Sequence, residues 1–320
     1  MKGLRFYGDG RAAVEDVPVP EPKKGEVLLR TAVSALCGSE HADYLAGLEE
    51  MPGHEFAGIV EETNGCGMLK PGDRVTVNVI KGCGNCYFCK KGQPQFCSSF
   101  SVLSGGHAEY VAIPEQCCIR LPEGMDMDVG VLLGGDTLGV AYRAIGKIRQ
   151  DWARNAAVFG AGPIGLGVIS LLKYYGYHVS VWEPNPIRRQ YAIDLVGADE
   201  TGEAYDPESE PKADVVFECS GTPAAELSAL EGVQPGGTVV FCGENYRELK
   251  IVPSHQIIHR EVTLTGAFYY TRQDFYDLCE IYYRGFDPRP AVSHIFPLEE
   301  APEACRMFFG GKTAKVLLKR

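Results

Sequence analysis

The sequence predicts an α/β protein in which a β-rich domain adjoins a doubly wound parallel-sheet domain, and three observations carry that expectation. The N-terminal third is dense in short strand-like runs broken by glycine and proline. From about Met127 onward, helical patterns alternate with short apolar strands, the texture of a parallel sheet covered on both faces. Between Ala156 and Glu183, strand, glycine turn, helix and second strand can be read off in that order.

In the N-terminal part, the runs at 27–33, 56–60, 74–79 and 108–113 read as strands, and Pro71-Gly72-Asp73 is a turn ahead of the third. Farther on, helical periodicity at 128–148, 163–175, 186–195 and 223–233 alternates with strands at 156–160, 178–182, 214–218, 237–242 and 262–266. Helical patterns at 272–284 and 298–309 then precede a last strand at 314–319. A chain of 320 residues that is 45% apolar can bury two cores of this kind.

The residues Gly160-Ala161-Gly162-Pro163-Ile164-Gly165 fit G-x-G-x-x-G at the junction of strand and helix. Gly160 permits the sharp turn, Gly162 lets the backbone approach a pyrophosphate, and Gly165 allows the helix to pack closely on the strand. Pro163 and Ile164 open the helix, whose free N–H groups and partial positive charge suit phosphates. Glu183 follows the turn by roughly 20 residues, where an acid accepts hydrogen bonds from ribose hydroxyls. The whole unit predicts dinucleotide binding. It favours NAD over NADP, because a carboxylate repels a 2′-phosphate, although Arg188-Arg189 could neutralise one.

A net charge of −11 argues against nucleic acid and anionic membrane as partners. No apolar run approaches a membrane span and the first residues lack a signal-peptide core, so a cytoplasmic protein is expected. Four of the 12 cysteines, Cys83, Cys86, Cys89 and Cys97, form C-x2-C-x2-C-x7-C. Thiolates at this spacing can close tetrahedrally on one zinc ion; an iron–sulfur cluster is the chemical alternative, which the surrounding turn glycines disfavour. Four protein ligands leave no open position, so a structural role is expected. Cys37 in Cys-Gly-Ser-Glu (37–40), with His54 and Glu55 in Gly-His-Glu (53–55), offers thiolate, imidazole and carboxylate for a second, open site. Taken singly, a buried cysteine or a satisfied histidine is the plainer reading of each.

These landmarks, with Gly-His-Glu-Phe-Ala-Gly (53–58), Gly-Gly-His-Ala-Glu-Tyr-Val (105–111), Val-Val-Phe-Glu-Cys-Ser-Gly (215–221) and Gly-Lys-Thr-Ala-Lys-Val-Leu-Leu (311–318), resemble the zinc-dependent medium-chain alcohol and polyol dehydrogenases over essentially the full length. The resemblance implies a GroES-like catalytic domain from residues 1–136 and 268–320 and a Rossmann domain over 137–267. It implies two zinc ions per chain and NAD. Cys37 and His54 resemble the first two ligands of a catalytic zinc, and Glu55 a glutamate that binds the ion or sits just behind it. Asp136, in Leu-Gly-Gly-Asp-Thr-Leu-Gly (133–139), falls at the third ligand position; the plainer alternative is a cap for the helix that starts near Thr137. Ser39 matches the hydroxyl that takes the substrate proton, and Glu40 the acid that orients the histidine ligand. Where relatives often end the proton relay in a histidine, this chain has Ala42, with His41 one position early. Arg188 resembles a residue flanking the adenosine ribose and Lys315 a basic contact to the pyrophosphate; the plainer readings are helix surface and solvent-facing strand.

The implied activity is reversible hydride transfer between an alcohol and NAD, in a homo-oligomer, dimer or tetramer. His107 stands where similar proteins often carry an aromatic residue facing the substrate, so it is expected to hydrogen-bond a polar alcohol or ketone, unless backbone or water satisfies it. Two alternatives lie outside this reading: a zinc-independent quinone or enone reductase, and a non-catalytic protein that senses NAD.

Overall fold

The structure, a computed structural model, describes residues 1–320. Asn155–Phe159, His178–Trp182, Glu200–Gly202, Ala213–Glu218, Val233–Phe241 and Thr263–Gly266 form a six-stranded all-parallel sheet, whose inner strands are largely buried runs of valine, alanine and aromatic residues and whose edge strands, Glu200–Gly202 and Thr263–Gly266, are partly exposed. Numbered along the chain, these strands lie in the order 3-2-1-4-5-6. The order reverses between Asn155–Phe159 and Ala213–Glu218, so ligand binding falls at the carboxyl ends of that pair. Helices Pro163–Tyr174, Pro186–Asp194 and Pro223–Gly232 each begin with proline in the first turn, behind Gly162, Asn185 and Thr222 as N-caps. Val158, Val216, Leu166 and Leu172 are among the fully buried residues of this part.

A second sheet has seven strands. Glu26–Ala35 lies at its centre, paired antiparallel with Phe56–Asn64, Tyr110–Pro114 and Lys315–Lys319. The register Leu317↔Ala35 joins the two ends of the chain in one core, where Leu4, Leu36, Phe308 and Val316 are buried together. The chain divides into one unit of residues 1–139, 270–284 and 292–320, and another of 140–269 and 285–291. The segment 285–291 belongs with the parallel sheet, where the Phe286 ring meets Tyr174 at 5.5 Å. No helix is long and apolar enough to cross a membrane.

The element pattern differs from expectation where glycine intervenes. The helical run at 128–148 is two helices, Met127–Leu133 and Asp136–Ile145. At the break, a Cβ on Gly134 would collide with the Thr76 side chain, and one on Gly135 with the Glu55 carboxylate. Close approach therefore demands both glycines, and the restart delivers Asp136. The hairpin Lys2–Gly8/Arg11–Asp16 and the strands Glu200–Gly202 and Val292–Pro297 were not anticipated.

Candidate active site and metal centres

Three separate pieces of chain deliver the site. Cys37 leaves the central strand and caps the turn Gly38–Glu40, its N–H donating to Glu40 Oε2 at 3.0 Å. His54 and Glu55 precede the strand Phe56–Asn64, held by the Ala35 N–H donating to the Glu55 carbonyl. Asp136 opens its helix. Donor atoms of Cys37, His54, Glu55 and Asp136 all lie within 4.8 Å of one another. A tetrahedral zinc spaces its ligands by about 3.3–3.8 Å, so modest inward movement of side chains suffices. The buried Glu55 Oε2 has no hydrogen-bond partner, an orphan that a cation would satisfy. The donor set fits zinc.

His54 is held from both sides. Its Nδ1 is 3.3 Å from Glu40 Oε1 and its Nε2 is 3.3 Å from Asp136 Oδ2. Ser39 Oγ lies 3.5 Å from that Nε2 and 3.4 Å from Cys37 Sγ. Burial opposes charge on the His54 ring, but Cys37, Asp136 and Glu40 outweigh it and raise its pKa well above the ordinary value. Burial likewise opposes charge on Glu40, yet His107 and His54 outweigh it and hold this carboxyl well below the usual range. Burial, helped by Asp136, raises the Glu55 carboxyl despite the opposing Lys315. His41 takes no part in this cluster; its ring stacks on Phe309 at 5.3 Å.

Two expected roles need correction. Lys315 is neither solvent-facing nor turned to a pyrophosphate: it is 0% exposed, with Nζ 2.5 Å from Glu55 Oε1 and 2.9 Å from the Leu36 carbonyl. The pleat of the buried last strand turns it inward, and Glu55 supplies the countercharge that makes burial tolerable. His107 does not face a substrate: it is 0% exposed, its Nδ1 2.9 Å from Ser34 Oγ and its Nε2 3.3 Å from Glu40. The polar strand residue Ser34, between Val33 and Ala35, was the overlooked signal for that buried contact. Tyr270 was missed as well. Its buried hydroxyl donates to the Gly134 carbonyl, and its ring covers Gly139.

In the parallel-sheet unit, Gly160 adopts φ +95°, and a Cβ on Gly165 would collide with the Gly160 carbonyl. A Cβ on Gly162 would meet no protein atom within 4 Å, so no neighbour in the fold requires glycine there. Pro163 and Ile164 form the first turn of the helix. Glu183 is buried, with Oε2 accepting from the Ala161 N–H and Oε1 from the Asn185 N–H, each at 2.9 Å. One further lone pair per oxygen is left for a ligand. Arg189 donates to the Glu183 and Pro184 carbonyls, whereas the half-buried Arg188 offers its guanidinium to no protein acceptor.

Comparison with known proteins agrees with this arrangement. Residues 23–123 match the alcohol dehydrogenase GroES-like domain, and residues 163–283 the zinc-binding dehydrogenase family. The chain belongs to the zinc-dependent medium-chain alcohol and polyol dehydrogenases. This dehydrogenase is 28% identical to human sorbitol dehydrogenase over 99% of its own length and 95% of the relative's. It is 29% identical to the L-threonine 3-dehydrogenase of Pyrococcus furiosus, covering 99% and 97%. Among solved structures, the alcohol dehydrogenase TADH from Thermus sp. ATN1 superposes with a TM-score of 0.89 at 26% identity, covering 100% and 99%. The 2R,3R-butanediol dehydrogenase from Bacillus subtilis gives 0.84 at 25%, again covering 100% and 99%. The dehydrogenase is thus an oxidoreductase of alcohols or polyols, of a family that uses zinc and a nicotinamide cofactor.

Its second cluster joins Cys83, Cys86, Cys89 and Cys97, with all four Sγ atoms within 4.8 Å. Backbone N–H groups of Cys83, Cys86, Cys89 and Ser99 point at sulfur over 3.4–3.5 Å, and the strands Ile80–Lys81 and Ser101–Val102 close the base of the loop. N–H groups of Asn85 and Cys86 lower the Cys83 thiol to about 6, while burial pushes Cys89 to about 12. A cation gathers such unequal thiols into one thiolate set. Cys86→Ser is expected to lose one zinc per chain and at least about 5 °C of melting temperature. Unchanged metal content and melting would remove the structural role.

Proposed function

We propose that this dehydrogenase oxidises a secondary alcohol bearing a hydroxyl or amine on the neighbouring carbon, with NAD as hydride acceptor. In this reading Cys37, His54 and Asp136 hold a catalytic zinc with Glu55 behind it, and the four-cysteine loop holds a second. The convergence of those four donor groups carries the reading. Bound zinc would supply Lewis acidity toward the substrate oxygen, and the nicotinamide would exchange hydride with the carbon bearing it.

Ser39 is exposed and lies beside both Cys37 and His54, which supports it as the group that takes the hydroxyl proton. With Ala42 beyond it, that proton passes to water rather than to a further side chain. Glu40 Oε1 stands 3.3 Å from the His54 Nδ1, where it would accept from that nitrogen and keep the other toward the ion. Lys315 balances Glu55, so the cluster carries less net negative charge than its three acids suggest.

Glu183 supports NAD, because its carboxylate anchors both the glycine turn and the loop after the second strand, where a 2′-phosphate would meet it. Arg189 is already committed to carbonyls, leaving Arg188 alone to favour a phosphate. Sorbitol, threonine and butanediol, named for the relatives, share a heteroatom beside the reacting carbon. The cysteines, free and at zinc spacing, support a cytoplasmic setting. The test scores NADH and NADPH formation on vicinal diols and amino alcohols against matched monoalcohols. Higher kcat/KM for monoalcohols would overturn the substrate class, and higher kcat/KM with NADP would overturn the cofactor.

A further inference from the structure

His107 and Ser34 have no part in the chemistry above, yet they are among the most deeply buried polar residues of the molecule. Their surroundings can be followed atom by atom. The His107 N–H donates to the Pro52 carbonyl at 3.0 Å, and the Gly106 N–H to the Gly53 carbonyl at 2.8 Å. These bonds lace the segment 105–107 to the residues just before His54. Gly53 sits at φ +105°, and a Cβ there would strike His107. On the other side, the His107 ring bridges Ser34 of the central strand to Glu40 of the turn that follows Cys37.

Glu40 lies between the two histidine rings. An ionised carboxylate only accepts, so the His107 Nε2 donates to Glu40 Oε2 at 3.3 Å, and the His54 Nδ1 approaches the other oxygen of the same carboxylate to 3.3 Å. The other ring nitrogen of His107, Nδ1, shares a hydrogen bond of 2.9 Å with the Ser34 hydroxyl, which can serve as donor or acceptor. The His54 Nε2 lies on the side of Asp136 and Cys37, where it would face a bound ion. The Cys37 N–H completes the set of donors on Glu40.

We propose that His107, set by Ser34, is a positioning residue of the catalytic metal site: it pins the Glu40 carboxylate in the orientation that directs the His54 Nε2 lone pair to the ion. This rests on the zinc reading above. Without the imidazole, Glu40 keeps the Cys37 N–H as a donor and is free to turn away from His54. An outer hydrogen-bond partner of this kind is worth 10–100-fold in metal affinity.

The experiment is chelator competition for zinc on the full chain, which resolves two classes of site. His107→Phe, which keeps the volume and removes the polar atoms, should weaken one class by about 10–100-fold and leave the four-cysteine class unchanged. His107→Gln, whose amide N–H reaches toward Glu40, should recover most of the loss. In a Glu40→Gln background, His107→Phe should add nothing, because its route to the metal is already cut. Wild-type affinity in a folded His107→Phe protein, or a full additional loss in the Glu40→Gln background, overturns the proposal. Should His107→Phe fail to fold, Ser34→Ala decides. A loss of about 2–10-fold is expected, and an unchanged affinity overturns it. A wild type that holds zinc only at the cysteine loop overturns the metal reading itself and this inference with it.

Discussion

Asp136→Ala is expected to lower kcat by roughly 10³-fold, the rate equivalent of about 4 kcal/mol of lost Lewis-acid stabilisation. Folding should survive. The helix that Asp136 opens is anchored by Leu138, Ala141 and Ala144, all fully buried, and the substitution also removes a negative charge that raises the Glu55 carboxyl. Zinc content should fall from two ions toward one, with the cysteine-loop ion retained. The competing assignment makes Glu55 the third ligand, since its Oε2 is the orphan oxygen of the cluster. Glu55→Gln separates the two, because Lys315 holds Glu55 Oε1 whereas Asp136 Oδ2 faces the His54 ring. Full activity and both ions in the Asp136 variant, with loss of one ion from Glu55→Gln, would transfer the role to Glu55.

Lys315→Met should cost the metal-free protein about 3–5 kcal/mol, the usual consequence of leaving one member of a buried ion pair alone. Neither partner is exposed, and the only other Lys315 contact given by hydrogen bonding is the Leu36 carbonyl. A second substitution, Glu55→Gln, should return much of that stability. The pH dependence has a definite sign. Burial already raises the folded-state pKa of Glu55 above its unfolded value, and removing Lys315 raises it further. A group shifted that way contributes stability below its unfolded pKa and loses it as pH rises through the folded pKa. The variant should therefore approach wild-type stability in acid and fall away toward neutral pH. Denaturant titrations across that range are the measurement. Equal stability of Lys315→Met and wild type at neutral pH would mean that the pair contributes nothing.

Much of the fold was legible because its signals are local. The glycine turn, the alternation after Met127 and the cysteine spacing each sit within one short window. Cys37 and His54 were readable for the same reason. Asp136 was harder, because the Gly134-Gly135 break that delivers it is explained only by Thr76 and Glu55, far away in sequence. Lys315 was misjudged because a strand residue's facing depends on register, and register is set by distant partners. His107, in the bend before the strand Tyr110–Pro114, was misjudged because Ser34 and Glu40, which bury it, are far away in sequence. A lysine within Ala-Lys-Val-Leu-Leu-Lys reads as surface until the opposing buried acid is known. Ser34 reads as an incidental polar residue until His107 is folded against it.

The Lys315–Glu55 pair also bears on how the chain is made. The partners are 260 residues apart, and the lysine bond to the Leu36 carbonyl spans 279. At roughly 5–20 residues per second, the ribosome needs about 13–50 s to deliver Lys315 after Glu55. Throughout that interval the nascent N-terminal segment lacks its final strand, and its acid lacks a countercharge. The whole 140–269 stretch, and the 285–291 segment that packs with it, emerge in the meantime, joined by local βαβ connections. Biogenesis therefore reverses the written order: the middle of the chain can settle first, while the part synthesised earliest matures last and depends longest on being shielded from aggregation.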